Sequence, residues 1–192
     1  MCDMDEVDKM VRILNEIDDV LRCPRCDLAS TRKNVVVGSG PIDAKIMLIG
    51  EAPGKDEDTQ GMPFVGAAGR VLNSTLKGAG ISRDVAYITN IVKCRPPENR
   101  VPRKDEINAC SVYLRKQLET VTPKLVILMG KTSAKSFLKR DVNMTDEHGK
   151  PFKHGDLTVM ITYHPAATIY NRKLKGVLEA DFRVAGDLSV PR

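Results

Sequence analysis

Four short apolar runs limit the architectures open to this chain more than any other feature: Lys45–Gly50 (KIMLIG), Val85–Val92, Leu125–Met129 and Thr158–Tyr163. Each has the length of a strand and ends in turn-forming or polar residues, as expected of strands covered on both faces. Around them apolar residues recur at helical spacing. Asp5–Leu21 places Val7, Met10, Val11, Leu14, Ile17, Val20 and Leu21 on one stripe with acids opposite. Gly66–Leu76 is a second helix, closed by Gly78 and Gly80, and Arg103–Leu118, Ser133–Leu138 and Arg172–Leu188 complete the set. Strands alternating with helices join by right-handed crossovers into a parallel sheet with helices on both faces. With no internal repeat or dividing linker, residues 1–192 read as one domain, with 1–22 a helix packed on it.

In such a sheet, ligands bind beyond the carboxyl ends of the strands. The segments there are Glu51-Ala52-Pro53-Gly54, Asn90 through Pro97, Gly130-Lys131-Thr132 and His164-Pro165-Ala166-Ala167. Three of the four carry polar groups with no packing duty. His148 and His154 fall in a polar stretch and are expected at the surface.

The 42% hydrophobic content excludes a disordered chain, and no apolar run is long enough to cross a bilayer. Acids at Asp3, Asp5 and Glu6 stand where a signal peptide needs positive charge, so the expectation is a soluble cytoplasmic protein, associated with the nucleoid if its partner is DNA, without membrane partners. Net charge is +5, yet residues 1–20 carry −5, leaving +10 for the rest. The cations cluster at Lys93, Arg95, Arg100, Arg103 and Lys104, at Lys131, Lys135, Lys139 and Arg140, and at Arg172, Lys173 and Lys175. Basic segments of this kind suit a polyanion if they converge on one site.

Cys23-x-x-Cys26 brings two thiols onto one turn, and Cys94 and Cys110 supply two more. Four such ligands can hold tetrahedral zinc or a 4Fe–4S cluster; the lack of a second closely spaced pair favours iron–sulfur. Four protein ligands leave no open position, so the group would be structural, tying the amino-terminal segment to the sheet. Cys2 is left as a spare.

The run Gly50–Gly69 (GEAPGKDEDTQGMPFVGAAG), Thr89-Asn90, the segment Lys93-Cys94-Arg95-Pro96-Pro97 with Asn99, Arg100 and Pro102, and His164-Pro165 together resemble the motifs of family 4 uracil-DNA glycosylases. The resemblance spans residues 23 to about 170. It implies a three-layer α/β/α sandwich on a four-stranded parallel sheet, a structural 4Fe–4S cluster on Cys23, Cys26, Cys94 and Cys110, and removal of uracil from DNA as a monofunctional hydrolase. Relatives with an aspartate in the first motif use it to position water; here that place falls to Ala52, and Thr168, Ile169 and Tyr170 replace the usual continuation after His164-Pro165.

On that resemblance each residue acquires a role. Duplex DNA hides the base, so the nucleotide must be flipped into a pocket. Phe64 offers the stacking face, and Asn90 reads uracil by accepting from N3–H and donating to O4, a pattern cytosine reverses. His164 donates to uracil O2 as charge develops there. Glu51, with Ala52, lies against the base and is the first candidate to position water; Glu57 is the second, and Glu57 or the backbone around Gly54 is the candidate to exclude thymine. Gly66 and Ala67 let backbone N–H groups approach a phosphate, Arg95, Arg100 and Lys131 add phosphate contacts, and Ile169 or Tyr170 fills the vacated space. The partner expected is uracil-containing DNA, double- or single-stranded, bound by a monomer; no sliding-clamp motif is visible. A reading from a different class is an iron–sulfur nucleic-acid-binding or redox-signalling protein without catalysis. A nucleotide-binding enzyme is disfavoured, because no Gly-rich phosphate motif follows a strand.

Overall fold

The computed structural model describes residues 6–189, so Asp5 and Cys2 lie outside the described residues. Five strands form one sheet: β1 (Ile46–Gly50), β2 (Ala86–Asn90), β3 (Leu125–Met129), β4 (Phe152–His154) and β5 (Leu157–Thr162), in the order β2-β1-β3-β5-β4. The four strands expected from the apolar runs pair in parallel. To them the structure adds β4, an antiparallel edge strand on β5. Its three residues are half-buried or exposed and so lack the continuous apolar signature of the others.

The helices are α1 (Glu6–Leu21), α2 (Leu28–Thr31), α3 (Lys55–Gln60), α4 (Ala67–Gly78), α5 (Lys104–Val121), α6 (Lys131–Leu138), α7 (Met144–Glu147), α8 (Ala167–Tyr170) and α9 (Lys173–Ser189). Alternation along each strand divides the apolar residues between two faces. Ile46, Leu48, Ile88 and Ile127 meet Leu72 and Leu76 of α4 and Leu178 and Phe182 of α9. Met47, Ile49, Val126 and Leu128 meet Leu114 of α5 and Ala134 and Leu138 of α6. This is the three-layer sandwich. No helix among the described residues is long and apolar enough to cross a membrane.

A third, smaller core joins Val20, Leu28, Val35, Val92 and Tyr113 with Cys94 and Cys110, and fixes the amino-terminal segment against α5. Here α1 departs from expectation. Its apolar stripe predicts burial, but Val7, Met10, Val11, Leu14 and Leu21 are largely exposed, Ile17 is half-buried and Val20 is buried, while Glu16 on the adjoining flank is buried as well. The polar contacts explain the rotation: Lys116 of α5 pairs with Asp19 at 2.7 Å, and the Tyr113 hydroxyl donates to the Asp19 carbonyl.

His148 also departs from the surface position expected. Its Nδ1 lies 3.0 Å from Oδ1 of the buried Asp181, which accepts from Thr162 Oγ1 at 2.6 Å, and its ring packs on Tyr163. These contacts brace the carboxyl end of β5 from behind. His154 is exposed, as expected.

Candidate active site

The carboxyl ends of β1, β2 and β5 open onto a hollow of about 340 Å³, lined among others by Glu51, Ala52, Phe64, Asn90, His164 and Tyr170. Asn90 is the last residue of β2 and is 1% exposed, and its side-chain Oδ1 has no hydrogen-bond partner. An unpaired buried acceptor is unfavourable by roughly 1–3 kcal/mol, so it marks a place where a donor is expected to arrive. Phe64 and His164 stack loosely across the hollow, ring centroids 5.6 Å apart and tilted by 31°.

Two glycines permit this convergence. A Cβ at Gly50 would fall 2.4 Å from Asn90 Oδ1 and 2.8 Å from the Phe64 ring. A Cβ at Gly69 would fall 1.9 Å from the Phe64 carbonyl oxygen. Phe64 itself has φ +54°, a left-handed conformation that ordinary side chains avoid. Arg83 holds it there, donating to the Pro63 carbonyl at 2.7 Å, the Phe64 carbonyl at 3.3 Å and Asn73 Oδ1 at 2.7 Å.

His164 is held in one tautomer. The Ala166 N–H donates to its Nδ1 at 3.2 Å, which leaves the ring proton on Nε2. Burial pushes its pKa down to about 4, with the Glu57 carboxylate opposing, so the imidazole is neutral at pH 7.

Three backbone amides occupy the Glu57 carboxylate: Gly54 N–H at 3.1 Å, Val65 N–H at 3.1 Å and Gly66 N–H at 2.9 Å. The residue therefore braces the two loops that frame the hollow. Glu51, half-buried at the rim, makes no side-chain hydrogen bond or ion pair among the described residues and is the free carboxylate of the site.

The basic residues expected on DNA are placed unequally. Lys131, at the start of α6, and Ile169 and Tyr170 of α8 are exposed, Tyr170 at 90%. Arg95 donates to Asn99 Oδ1, and Arg100 makes a two-pronged pair with Glu106 at 2.6 and 2.9 Å. Arg103 pairs with Asp27 and Asp105. Lys93, grouped with these by sequence, is buried and cannot reach a polyanion. At Gly66 the N–H is already taken by Glu57. Sequence reasoning missed Arg83, which no motif signals.

Behind the hollow, Cys23, Cys26, Cys94 and Cys110 are free thiols lining one small cavity. Arg32 reaches into it, donating to Cys94 Sγ at 3.3 Å and the Cys23 carbonyl at 3.0 Å, and the Lys93 N–H donates to Cys110 Sγ at 3.3 Å. Burial pushes the Cys94 thiol up, and that of Cys110 to about 11. Among the described residues no three His, Cys, Asp or Glu side chains are arranged to hold a metal ion. The donor set nonetheless fits a four-thiolate group: sulfur ligands only, two from one turn, surrounded by N–H donors.

Comparison with known proteins agrees with this geometry. The profile of the uracil DNA glycosylase superfamily matches residues 37–183. A type-4 uracil-DNA glycosylase of Sulfurisphaera tokodaii is 44% identical over 90% of this chain and 83% of its own length. That of Saccharolobus solfataricus is 46% identical over 86% and 81%, and that of Archaeoglobus fulgidus 39% identical over 91% and 94%. The chain belongs to the type-4 uracil-DNA glycosylases of the uracil DNA glycosylase superfamily.

Proposed function

We propose that this chain excises uracil from DNA in the hollow above β1, β2 and β5, hydrolysing the base–sugar bond and leaving an abasic site. The observation that carries this reading is the orphaned Oδ1 of Asn90 facing a space walled by Phe64 and His164. A flipped uracil supplies the missing donor at N3–H, and the Asn90 amide in turn donates to O4. Cytosine presents an acceptor at N3 and a donor at the 4-position, so it leaves buried groups opposed.

As the glycosidic bond lengthens, negative charge gathers on uracil O2 and positive charge on the sugar. A neutral imidazole with its proton on Nε2 donates to O2 without a proton transfer, a fixed dipole aimed at charge as it develops. Water then meets an already cationic sugar, and Glu51 is the group to orient it. Glu57 acts through the loops it braces. Lys131 and Arg95 hold the phosphates on either side, and Tyr170 or Ile169 occupies the space the base leaves.

Cys23, Cys26, Cys94 and Cys110 would hold the 4Fe–4S cluster, which when bound supplies a covalent tie between the amino-terminal segment and the sheet. Its four ligands leave no site for substrate.

The test is release of free uracil from a uracil-containing oligonucleotide beside a thymine control. Asn90→Ala and His164→Ala should each lower the rate by about 100-fold or more while leaving the melting temperature within a few degrees. Near-full activity in both variants would refute the site.

A further inference from the structure

Lys93 is 1% exposed, and the mechanism above leaves it no task. Its ammonium donates to Thr89 Oγ1 at 2.6 Å, to Gln117 Oε1 at 2.7 Å and to the main-chain carbonyl of Asn90 at 2.8 Å. All three donors of the head group are thus spent inside the protein.

The topology explains the third bond. β2 is the outer strand of the sheet, and Ile88 exchanges both of its backbone bonds with Ser39 along the open edge. Asn90, two residues on, turns its carbonyl to the same side. There the flanking segment is already engaged, since the Val37 carbonyl accepts from Thr89 Oγ1 and Gln117 Nε2. Among the described residues no strand completes the edge beside Asn90, and Lys93 reaches back three residues to do so. A buried ammonium is tolerated only with full hydrogen bonding and negative neighbours. The buried Glu16 carboxylate on α1 is one such neighbour, and the Cys110 sulfur that accepts from the Lys93 N–H adds electron density nearby.

We propose that Lys93 is a positioning residue for Asn90: from behind the strand end it fixes the main chain from which the base-reading amide projects. The proposal rests on the uracil-excision reading for what Asn90 does, and on hydrogen bonds alone for what Lys93 does. It also gives the chain a direct link between the thiol cavity and the hollow, because one residue bonds Cys110 through its N–H and Asn90 through its side chain.

The experiment compares Lys93→Met, Thr89→Val and Thr89→Ser with the wild type. Uracil release is measured at saturating and limiting DNA, together with hydrogen exchange of the segment 86–92 by mass spectrometry and iron content. Lys93→Met should lower kcat by about 100-fold with KM within about twofold, as expected of a displaced recognition group, and should speed exchange at residues 90–92. Thr89→Val should fall between the two, and Thr89→Ser, which keeps the hydroxyl, should match the wild type. An unchanged kcat in a folded, iron-bearing Lys93→Met protein overturns the proposal. Where that variant does not fold, Thr89→Val matching Thr89→Ser overturns it. A wild type that releases no uracil refutes the excision reading instead; exchange then decides alone, and unchanged protection in the variants overturns the role of Lys93.

Discussion

At the scale of single residues, the hollow is defined by what is missing as much as by what is present. Gly50 has no Cβ, and one placed there would meet both Asn90 Oδ1 and the Phe64 ring. Gly50→Ala should therefore displace the amide and the ring together; a shift of about 1 Å in a reacting constellation lowers rates by roughly 100-fold. Steady-state uracil release checks this, and a rate within about twofold of wild type would contradict the geometry. His164 carries a second prediction. Its pKa of about 4 lies below the ordinary histidine value of about 6.5. Between these values the unfolded chain binds a proton that the folded chain refuses, so stability falls as pH drops from 6.5 toward 4, by at most about 3 kcal/mol. Denaturant unfolding across that range should show the slope, and His164→Asn should remove it. Histidine NMR titration with a midpoint near the ordinary value would contradict the burial. Asn90 and His164 were legible in the sequence because each stands at or just past a strand end with no packing reason for its polarity, and Phe64 because it falls in the Gly50–Gly69 motif run. The role of Glu57 was not legible: its acidic turn looks solvated, and only the folded loops bring three amides to its carboxylate.

Among the elements, those that the sequence made visible are the ones buried on both sides. Every residue of β1, β2 and β3 is buried; β1 and β3 read as unbroken apolar runs, and β2 as one that ends in the polar pair Thr89-Asn90. β4 and the four-residue helices α2, α7 and α8 bury too little to leave a pattern. The periodicity of α1 was plain, yet periodicity names a face and not its partner, and the side chains of α5 took the adjoining flank. The loop between α3 and α4 is likewise invisible to pattern, although it carries Phe64 in a left-handed conformation. Arg83, from a short turn ahead of β2, supplies the bonds that hold it. Arg83→Ala should release about 1–3 kcal/mol of backbone constraint into disorder of that loop. The expected result is a raised KM for uracil-containing DNA with a modest loss of melting temperature. Arg83→Lys, which keeps the charge but not the fork, should recover only part of the affinity. Equal KM values in all three proteins would show that Phe64 holds its place unaided.

On the scale of the whole molecule, the three cores differ in what sustains them. The two that flank the sheet are made of aliphatic and aromatic side chains contributed by strands and helices, and contain no cysteine. The third is small and contains thiols, and the chain from residue 32 to 45 that passes over it has no regular structure of its own. That stretch is fastened piecewise: Lys33 and Asn34 N–H groups donate to Asp58, Val36 N–H to the Lys93 carbonyl, and Ser39 pairs with Ile88. Most of these anchors lie in or next to the segments that carry the site. If the cysteines hold a cluster, its loss should therefore loosen the amino-terminal third first and leave the sheet folded. Cys23→Ser, or iron removal by a chelator, should abolish the absorbance near 400 nm (roughly, as iron–sulfur charge transfer gives). It should also loosen the backbone around Arg25 and Arg32 and so speed tryptic cleavage there, while the sheet retains its slow hydrogen exchange. Uracil release should fall with the loosening of Val36 and Ser39, because these residues border the edge of β2 that ends in Asn90. Global unfolding on chelation would show that the cluster sustains the whole core, whereas unaltered proteolysis would show that the third core needs no metal at all.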